Sequence, residues 1–332
     1  MKYRRGRLYW SFILLGAGLI ILSSCQKSSN NDLSSNAAGK GWTQKTNFGG
    51  AARVASVGFS INGKGYLLTG FSDSPRTFYH DLWEYDTSLN TWTQKADFPA
   101  SSRYGAVGFS IQGKGYIGTG WNGTSYTRDF WEYDPQTDKW TQKADFPGIA
   151  REDAVAFSIG LKGYLGTGRN YPCLYNDFWE YDPSTDSWTR KANFKGNARH
   201  LAVGFSIPAI GKGFIGTGWD GNSDMKDFWE YEPSTDDWTQ VADFNGTARF
   251  GAVAFCLDSL GYVGTGNDMN DLWVFNPSKN TWSQLGNYGG GGIIYGIGFS
   301  IGSRGYIGTG QDHHGIKNNS FWQFQSPSSS SR

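Results

Sequence analysis

The chain has 332 residues, a formal net charge of +1, 38% hydrophobic and 17% aromatic residues, and three cysteines. That balance supplies no clustered basic face for nucleic acid. Three cysteines are also too few for a disulfide framework to be the source of stability.

The first 25 residues read as an export signal rather than as part of a fold. Lys2, Arg4, Arg5 and Arg7 precede an apolar run from Phe12 to Leu22, which is too short to span a membrane as a helix. The ending Leu22-Ser-Ser-Cys25 resembles the lipobox of bacterial lipoproteins, which implies cleavage before Cys25 and its acylation. An ordinary signal peptide with a chance cysteine is the alternative. Residues 26–40 are rich in Ser and Asn and predict a flexible tether. Removing residues 1–24 deletes four basic and no acidic residues, so the side-chain balance falls from +1 to −3. With Cys25 lipidated, only Cys173 and Cys256 could pair. The expected location is a bacterial envelope, with the protein lipid-anchored to the outer membrane. Gln26-Lys-Ser-Ser-Asn30 leaves periplasmic and surface-facing orientations open.

From residue 41 to 325 one phrase is repeated. Asp81-Leu-Trp-Glu-Tyr-Asp86 followed by Thr91-Trp-Thr-Gln-Lys-Ala-Asp-Phe98 recurs near Asp129, Asp177, Asp227 and Asp271. A period of this length, made of short alternating segments, predicts a repeat architecture. One unit shows its parts. Ala106–Ile111 is an apolar strand, Gln112–Gly115 a tight turn, and Tyr116–Gly120 a second strand. A variable loop leads to a third strand, Asp129–Asp134, and after a Pro135 turn Trp140–Ala144 is the fourth and outermost. Radial four-stranded sheets of this kind make a β-propeller.

Three markers each appear six times: the Gly-Thr-Gly-like element at 68–70, 118–120, 166–168, 216–218, 264–266 and 308–310; Trp42, Trp92, Trp140, Trp188, Trp238 and Trp282; and Trp83, Trp131, Trp179, Trp229, Trp273 and Trp322. The first outer-strand Trp precedes any complete repeat and the last repeat lacks one. The N-terminal strand is therefore expected to complete the sixth blade, closing the ring and removing open edges. The fold class is all-β, a six-bladed propeller of four-stranded antiparallel blades. The Ser-rich end, residues 326–332, is expected to be disordered.

The Gly-rich second strand, Asp/aromatic third strand and Trp-bearing fourth strand resemble the kelch repeat over residues 42–324, with Gly-Thr-Gly where the usual form has a diglycine. The resemblance implies the propeller. It leaves function wide, because kelch propellers include partner-binding domains, periplasmic sialic acid mutarotases and the copper enzyme galactose oxidase.

Comparing the copies separates shared from singular residues. Arg53, Arg103, Arg151, Arg199 and Arg249 stand before the first strands, with Ile293 in the sixth place. Glu84, Glu132, Glu180 and Glu230 stand on the third strands, replaced by Val274 and Gln323. Paired Arg and Glu are the structural reading, since a charge near a core needs a partner. Arg249, whose own blade has lost the Glu, is left as a candidate for ligand.

The variable residues fall on one side of the ring. They predict a ligand face carrying Tyr104, Trp121, Arg169, Trp219, Arg249 and His313, with Glu152 and His200 as weak acid/base candidates and Asp153 beside Glu152. Variety tolerated in loops is the competing explanation. Cys173, Tyr171 and the histidines hint at a copper oxidase, but the blade count and the lack of accessory domains depart from that enzyme. Asp220-Gly-Asn-Ser-Asp224 lacks the following Gly and distal Glu of a calcium loop. No metal or cofactor is expected. The expectation is a monomeric binding module for a glycan or a protein, held at the membrane by lipid. A mutarotase- or epimerase-type enzyme and a purely structural scaffold are the alternatives.

Overall fold

The computed structural model describes residues 41–326. The signal, Cys25, the tether and the tail from residue 327 lie outside the described residues. Six four-stranded antiparallel sheets make up the described chain. In blade two the strands are Val107–Ile111, Lys114–Gly118, Phe130–Asp134 and Lys139–Lys143, from the innermost outward. The innermost strands show period-two burial, with Val107, Phe109 and Ile111 inside, as expected of a strand packed on a neighbour. Second strands are buried beyond their first Lys, because sheets pack on both of their faces.

Blade six consists of Ile297–Ile301, Arg304–Gly308, Phe321–Gln325 and Trp42–Gln44, with Trp42 opposite Phe324 and Gln44 opposite Trp322. The N-terminal strand thus closes the ring. The chain enters at Gly41 and leaves after Gln325, whose amide donates to the Gly41 carbonyl at 2.9 Å. Both ends lie at the foot of blade six, on the face opposite the long loops.

The second strand stops at Gly118 rather than running to Gly120. The reason is local: Thr119 has φ +62° and Gly120 φ +105°, which turn the chain out of the ladder. Gly118 itself is required by contact, since a Cβ there would sit 2.7 Å from the Phe130 ring. Two connections expected to be plain loops are hairpins of their own, Phe71–Asp73 with Arg76–Phe78 and Arg169–Asn170 with Cys173–Leu174.

The repeated tryptophans are fasteners. Outer-strand Trp140 donates its Nε1–H to the Ala96 carbonyl of the preceding blade at 2.9 Å, and Trp92, Trp188, Trp238 and Trp282 make the equivalent bond. Third-strand Trp131 donates to Asp129 at 2.9 Å, as Trp83, Trp179, Trp229 and Trp273 do to their own aspartates.

The arginine ring needs correcting in its partner. Each Arg is 0–1% exposed and binds the Asp that opens the third strand, not the Glu: Arg53–Asp81, Arg103–Asp129, Arg151–Asp177, Arg199–Asp227 and Arg249–Asp271, each through both guanidinium NH groups. The Asp is at the loop-face end of its strand, level with the Arg. The Glu lies three residues further down, where Glu84, Glu132 and Glu230 take Lys64, Lys114 and Lys212 at 2.5–2.7 Å. Every guanidinium also lies about 5 Å from a Phe ring of the preceding blade, such as Arg103 on Phe98 at 4.9 Å. For Asp81, Asp129, Asp177 and Asp271 the carboxyl is pulled below the usual carboxylate range: burial opposes this, and the Arg hydrogen bonds and charge outweigh it. Blade six has lost both partners together, with Ile293 and Ser320 in their places. The Nε1–H of Trp322 is accordingly buried without an acceptor.

An Arg103→Met change is expected to cost about 3–5 kcal/mol in chemical unfolding, because it strands a buried carboxylate. Arg103→Ile combined with Asp129→Ser, the blade-six arrangement, is expected to cost less than Arg103→Met alone. Two losses that simply add would refute the coupling.

Candidate functional site

At the loop face the first turn of each innermost strand enters through a left-handed residue: Ala55, Gly105, Asp153, Leu201, Gly251 and Tyr295, with φ from +51° to +63°. Each accepts a hydrogen bond at its carbonyl from the amide of the equivalent residue in the next blade. The six bonds, 2.8–3.0 Å long, close on themselves from Gly105→Ala55 round to Ala55→Tyr295. A second closed set joins Gly70, Gly120, Gly168, Gly218, Gly266 and Gly310 to the carbonyl of the Arg (Ile293 in blade six) in the next blade, at 2.7–2.9 Å. These hoops surround a central channel of about 200 Å³.

Directly above them every blade presents one pair of residues at equivalent places. The pairs are Val54 with Phe71, Tyr104 with Trp121, Glu152 with Arg169, His200 with Trp219, and Ile294 with Gln311, each an isolated antiparallel bridge. In blade five the Phe250 amide donates instead to the Asn267 side chain at 3.2 Å. The backbone pairing is the same in five blades and the side chains differ in all six. Six of the residues singled out from the sequence, Tyr104, Trp121, Glu152, Arg169, His200 and Trp219, are three of these pairs.

Over this layer opens a cavity of about 550 Å³. Two aromatic walls face it: Phe71, Phe78 and Tyr104, in mutual contact at 5.1–5.8 Å, and Trp219, Phe250 and Tyr295, at 6.3 Å from ring to ring. Between the walls on one side stand Asp153, Arg169 and His200; on the other stand Asp73, Arg76, Gln311 and Lys317. Lys317 donates to Asp73 at 2.5 Å, so the blade-six loop is tied to the blade-one hairpin.

The blade-three cluster is the chemically distinctive part. Glu152 is 2% exposed and takes the Arg169 guanidinium at 2.9 Å through Oε1, while its Oε2 is buried without a hydrogen-bond partner. Asp153 Oδ2 lies 3.5 Å from Arg169 and 3.4 Å from His200 Nδ1. One guanidinium thus serves two buried carboxylates. Burial, then the adjacent Asp153 charge, push the Glu152 carboxyl up to about 7, against the opposing pull of Arg169 and Tyr104. The Tyr104 phenol is pushed up by burial and by the two acids, which keeps it a neutral hydroxyl. The arrangement sets a fixed cation, a carboxylate and an imidazole in the cavity lining, with the proton-holding Glu152 carboxyl buried against Arg169 and outside that lining.

The other expected residues are placed elsewhere. Arg249 is fully buried and satisfied by Asp271 at 2.5 and 2.8 Å, so it belongs to the fold and not to a ligand site. Trp121 stands beside the cavity, its ring 4.6 Å from Tyr126. His313 is exposed on the blade-six loop against His314, at 3.7 Å, and does not line the cavity. Phe71, Phe78, Tyr295 and Lys317 are lining residues that the sequence comparison passed over. Tyr295 carries a signal in the repeats, being the only aromatic at its hoop position. Among the described residues Cys173 and Cys256 are free thiols. Among the same residues no three His, Cys, Asp or Glu side chains gather to hold a metal ion.

A family model described as the KLHDC2/KLHL20/DRC7 Kelch-repeats domain matches residues 23–215. The solved structure titled "Structure of YjhT" superposes with a TM-score of 0.73 at 15% identity, covering 86% of this chain and 98% of that one; at this identity the likeness is one of fold. No curated protein matches the sequence.

Glu152 binds its proton more tightly folded than unfolded. Its contribution to stability is therefore full below its ordinary value of 4.5 and is lost as pH rises through about 7. The thermal midpoint of Glu152→Gln relative to wild type is expected to rise between about pH 5 and about pH 8. A constant difference across that range would show that Glu152 titrates normally.

Proposed function

The chain belongs to the kelch-repeat family, and on that footing we propose that it is an extracytoplasmic binding module whose loop face holds a carbohydrate in the aromatic cavity. The observation that carries the reading is the layer of paired positions above the hoops. The backbone pairing there is common to five blades and the side chains are specific to each, and Phe71, Tyr104, Arg169, His200, Trp219 and Gln311 among them line a cavity of about 550 Å³. A sugar ring presents C–H faces and a rim of hydroxyls. Flat rings such as Tyr104 and Trp219 suit the first, and Arg169, Asp153, His200 and Gln311 suit the second. A protein partner would instead be expected to use the whole rim, including His313 and Ile316.

Thermal denaturation in the presence of glucose, galactose, N-acetylglucosamine and N-acetylneuraminic acid tests the reading. A ligand at 100 times its Kd adds about 2.7 kcal/mol of stability. Trp219→Ala and Arg169→Ala are each expected to weaken binding by about tenfold or more. Absence of a shift with every sugar would turn the assignment toward a protein partner.

Glu152 favours a second reading, a sugar mutarotase of the kind found among kelch propellers. In its carboxylate form Glu152 can take the anomeric hydroxyl proton as the ring C–O bond breaks, while a solvent water protonates the ring oxygen; on closure at the other face Glu152 returns its proton to the exocyclic oxygen and the ring hydroxyl gives its proton back to the solvent hydroxide. Interconversion of anomers, followed by NMR saturation transfer, is then expected to slow about 100-fold or more in Glu152→Gln. An unchanged rate removes the enzyme reading and leaves the binding one.

A further inference from the structure

Beside the cavity, on blades two and three, a strip of aromatic side chains continues outward. Tyr104, in the cavity wall, pairs through its main chain with Trp121 at 2.9 and 3.1 Å. Trp121 pairs in turn with Tyr126, and their rings are 4.6 Å apart. The Tyr126 hydroxyl accepts a hydrogen bond from the Tyr171 amide at 3.1 Å, which joins the blade-two loop to the tip of the Arg169–Leu174 hairpin. Tyr171 ends the strip with 78% of its surface exposed, more than any other large hydrophobic side chain among the described residues.

Three features of this strip need an explanation. An aromatic ring so exposed does no packing for the fold, and contiguous exposed aromatic surface marks a contact for something else. The matching tips of blades two and four, Asn122-Gly-Thr-Ser125 and Asp220-Gly-Asn-Ser223, are polar turns closed on their own Asn or Asp side chain. The strip itself carries no charged side chain, whereas the cavity holds Arg169, Asp153, Asp73 and Lys317. Arg169 and Tyr171 share one hairpin, Arg169 on its first strand facing the cavity and Tyr171 two residues on in its turn. A ligand seated on Arg169 can therefore extend outward over the same hairpin to its tip.

We propose that Trp121, Tyr126 and Tyr171 form an outer subsite of the cavity, and that the ligand is an oligosaccharide with one ring in the cavity and the next stacked on this strip. The proposal rests on the carbohydrate reading of the cavity. It assigns recognition of chain length to the hairpin tip and recognition of the terminal sugar to the paired layer. Neutral rings fit the strip, because a charged unit there would find no partner.

The test is calorimetric titration of the folded protein with monosaccharides and their linear tetrasaccharides: glucose with cellotetraose, N-acetylglucosamine with chitotetraose, and mannose with mannotetraose. For the sugar that binds, the tetrasaccharide is expected to bind about tenfold more tightly than the monosaccharide, from stacking on added rings. Tyr171→Ala, at an exposed tip, is expected to remove that gain while leaving monosaccharide affinity and thermal midpoint unchanged. Tyr171→Phe is expected to keep the gain. If the monosaccharide binds but length adds nothing, or the gain survives Tyr171→Ala, the outer subsite is wrong and the cavity reading stands. If no sugar of any length binds, both fall. Tyr171-dependent binding of an aromatic peptide with no response to any glycan would overturn the oligosaccharide assignment.

Discussion

The closed circuit of main-chain hydrogen bonds at the channel mouth holds the six blades in register. An open row of strands always ends in an unused donor and an unused acceptor. Here Ala55, Gly105, Asp153, Leu201, Gly251 and Tyr295 each give one bond and take one, so the row has no end. The cost is six residues in the left-handed region, four of them carrying a side chain. Closure offsets it, since no blade can tilt without lengthening bonds on both sides. The cavity floor is therefore fixed by backbone alone, and the side chains above it are free to differ.

The buried Arg–Asp pairs do the corresponding work between strands of one blade. Each guanidinium joins the approach to the innermost strand, the Thr carbonyl that ends the second, and the Asp that opens the third. That geometry makes partner loss correlated. Blade six replaces Arg and Asp together, consistent with the penalty for leaving either buried alone. The same blade is assembled from both ends of the chain, and its Trp322 indole nitrogen and the hydroxyl of Tyr288, which blade five packs against it, are buried without partners. Five blades are built to one rule and the sixth departs from it where the ring is joined.

The repeat made the architecture legible because its markers are local. The Trp140 position is a Trp in all six copies and the Gly118 position a Gly in five, with Leu68 in the other, so a count of the outer-strand tryptophans is a count of blades. The Arg partner was misread for a physical reason: sequence comparison sees which residues recur, whereas pairing depends on height along the strand, and Asp129 shares the height of Arg103 while Glu132 does not. The site was legible where it follows the repeat register, as in Tyr104/Trp121, Glu152/Arg169 and His200/Trp219. It was hidden where ring closure creates it. Asp73 and Lys317 are 244 positions apart and meet only because blade six abuts blade one. Arg249 looked free because its neighbouring Glu was gone, although the Asp it uses was present throughout.

The direction of the strands in the sixth blade has one more consequence. The chain arrives at Gly41 and departs after Gln325 on the face away from the cavity. Whatever is joined to either end, whether an acyl chain, another domain, an affinity handle or a solid support, is attached from behind. A propeller gripped there presents its cavity on the side away from the point of attachment.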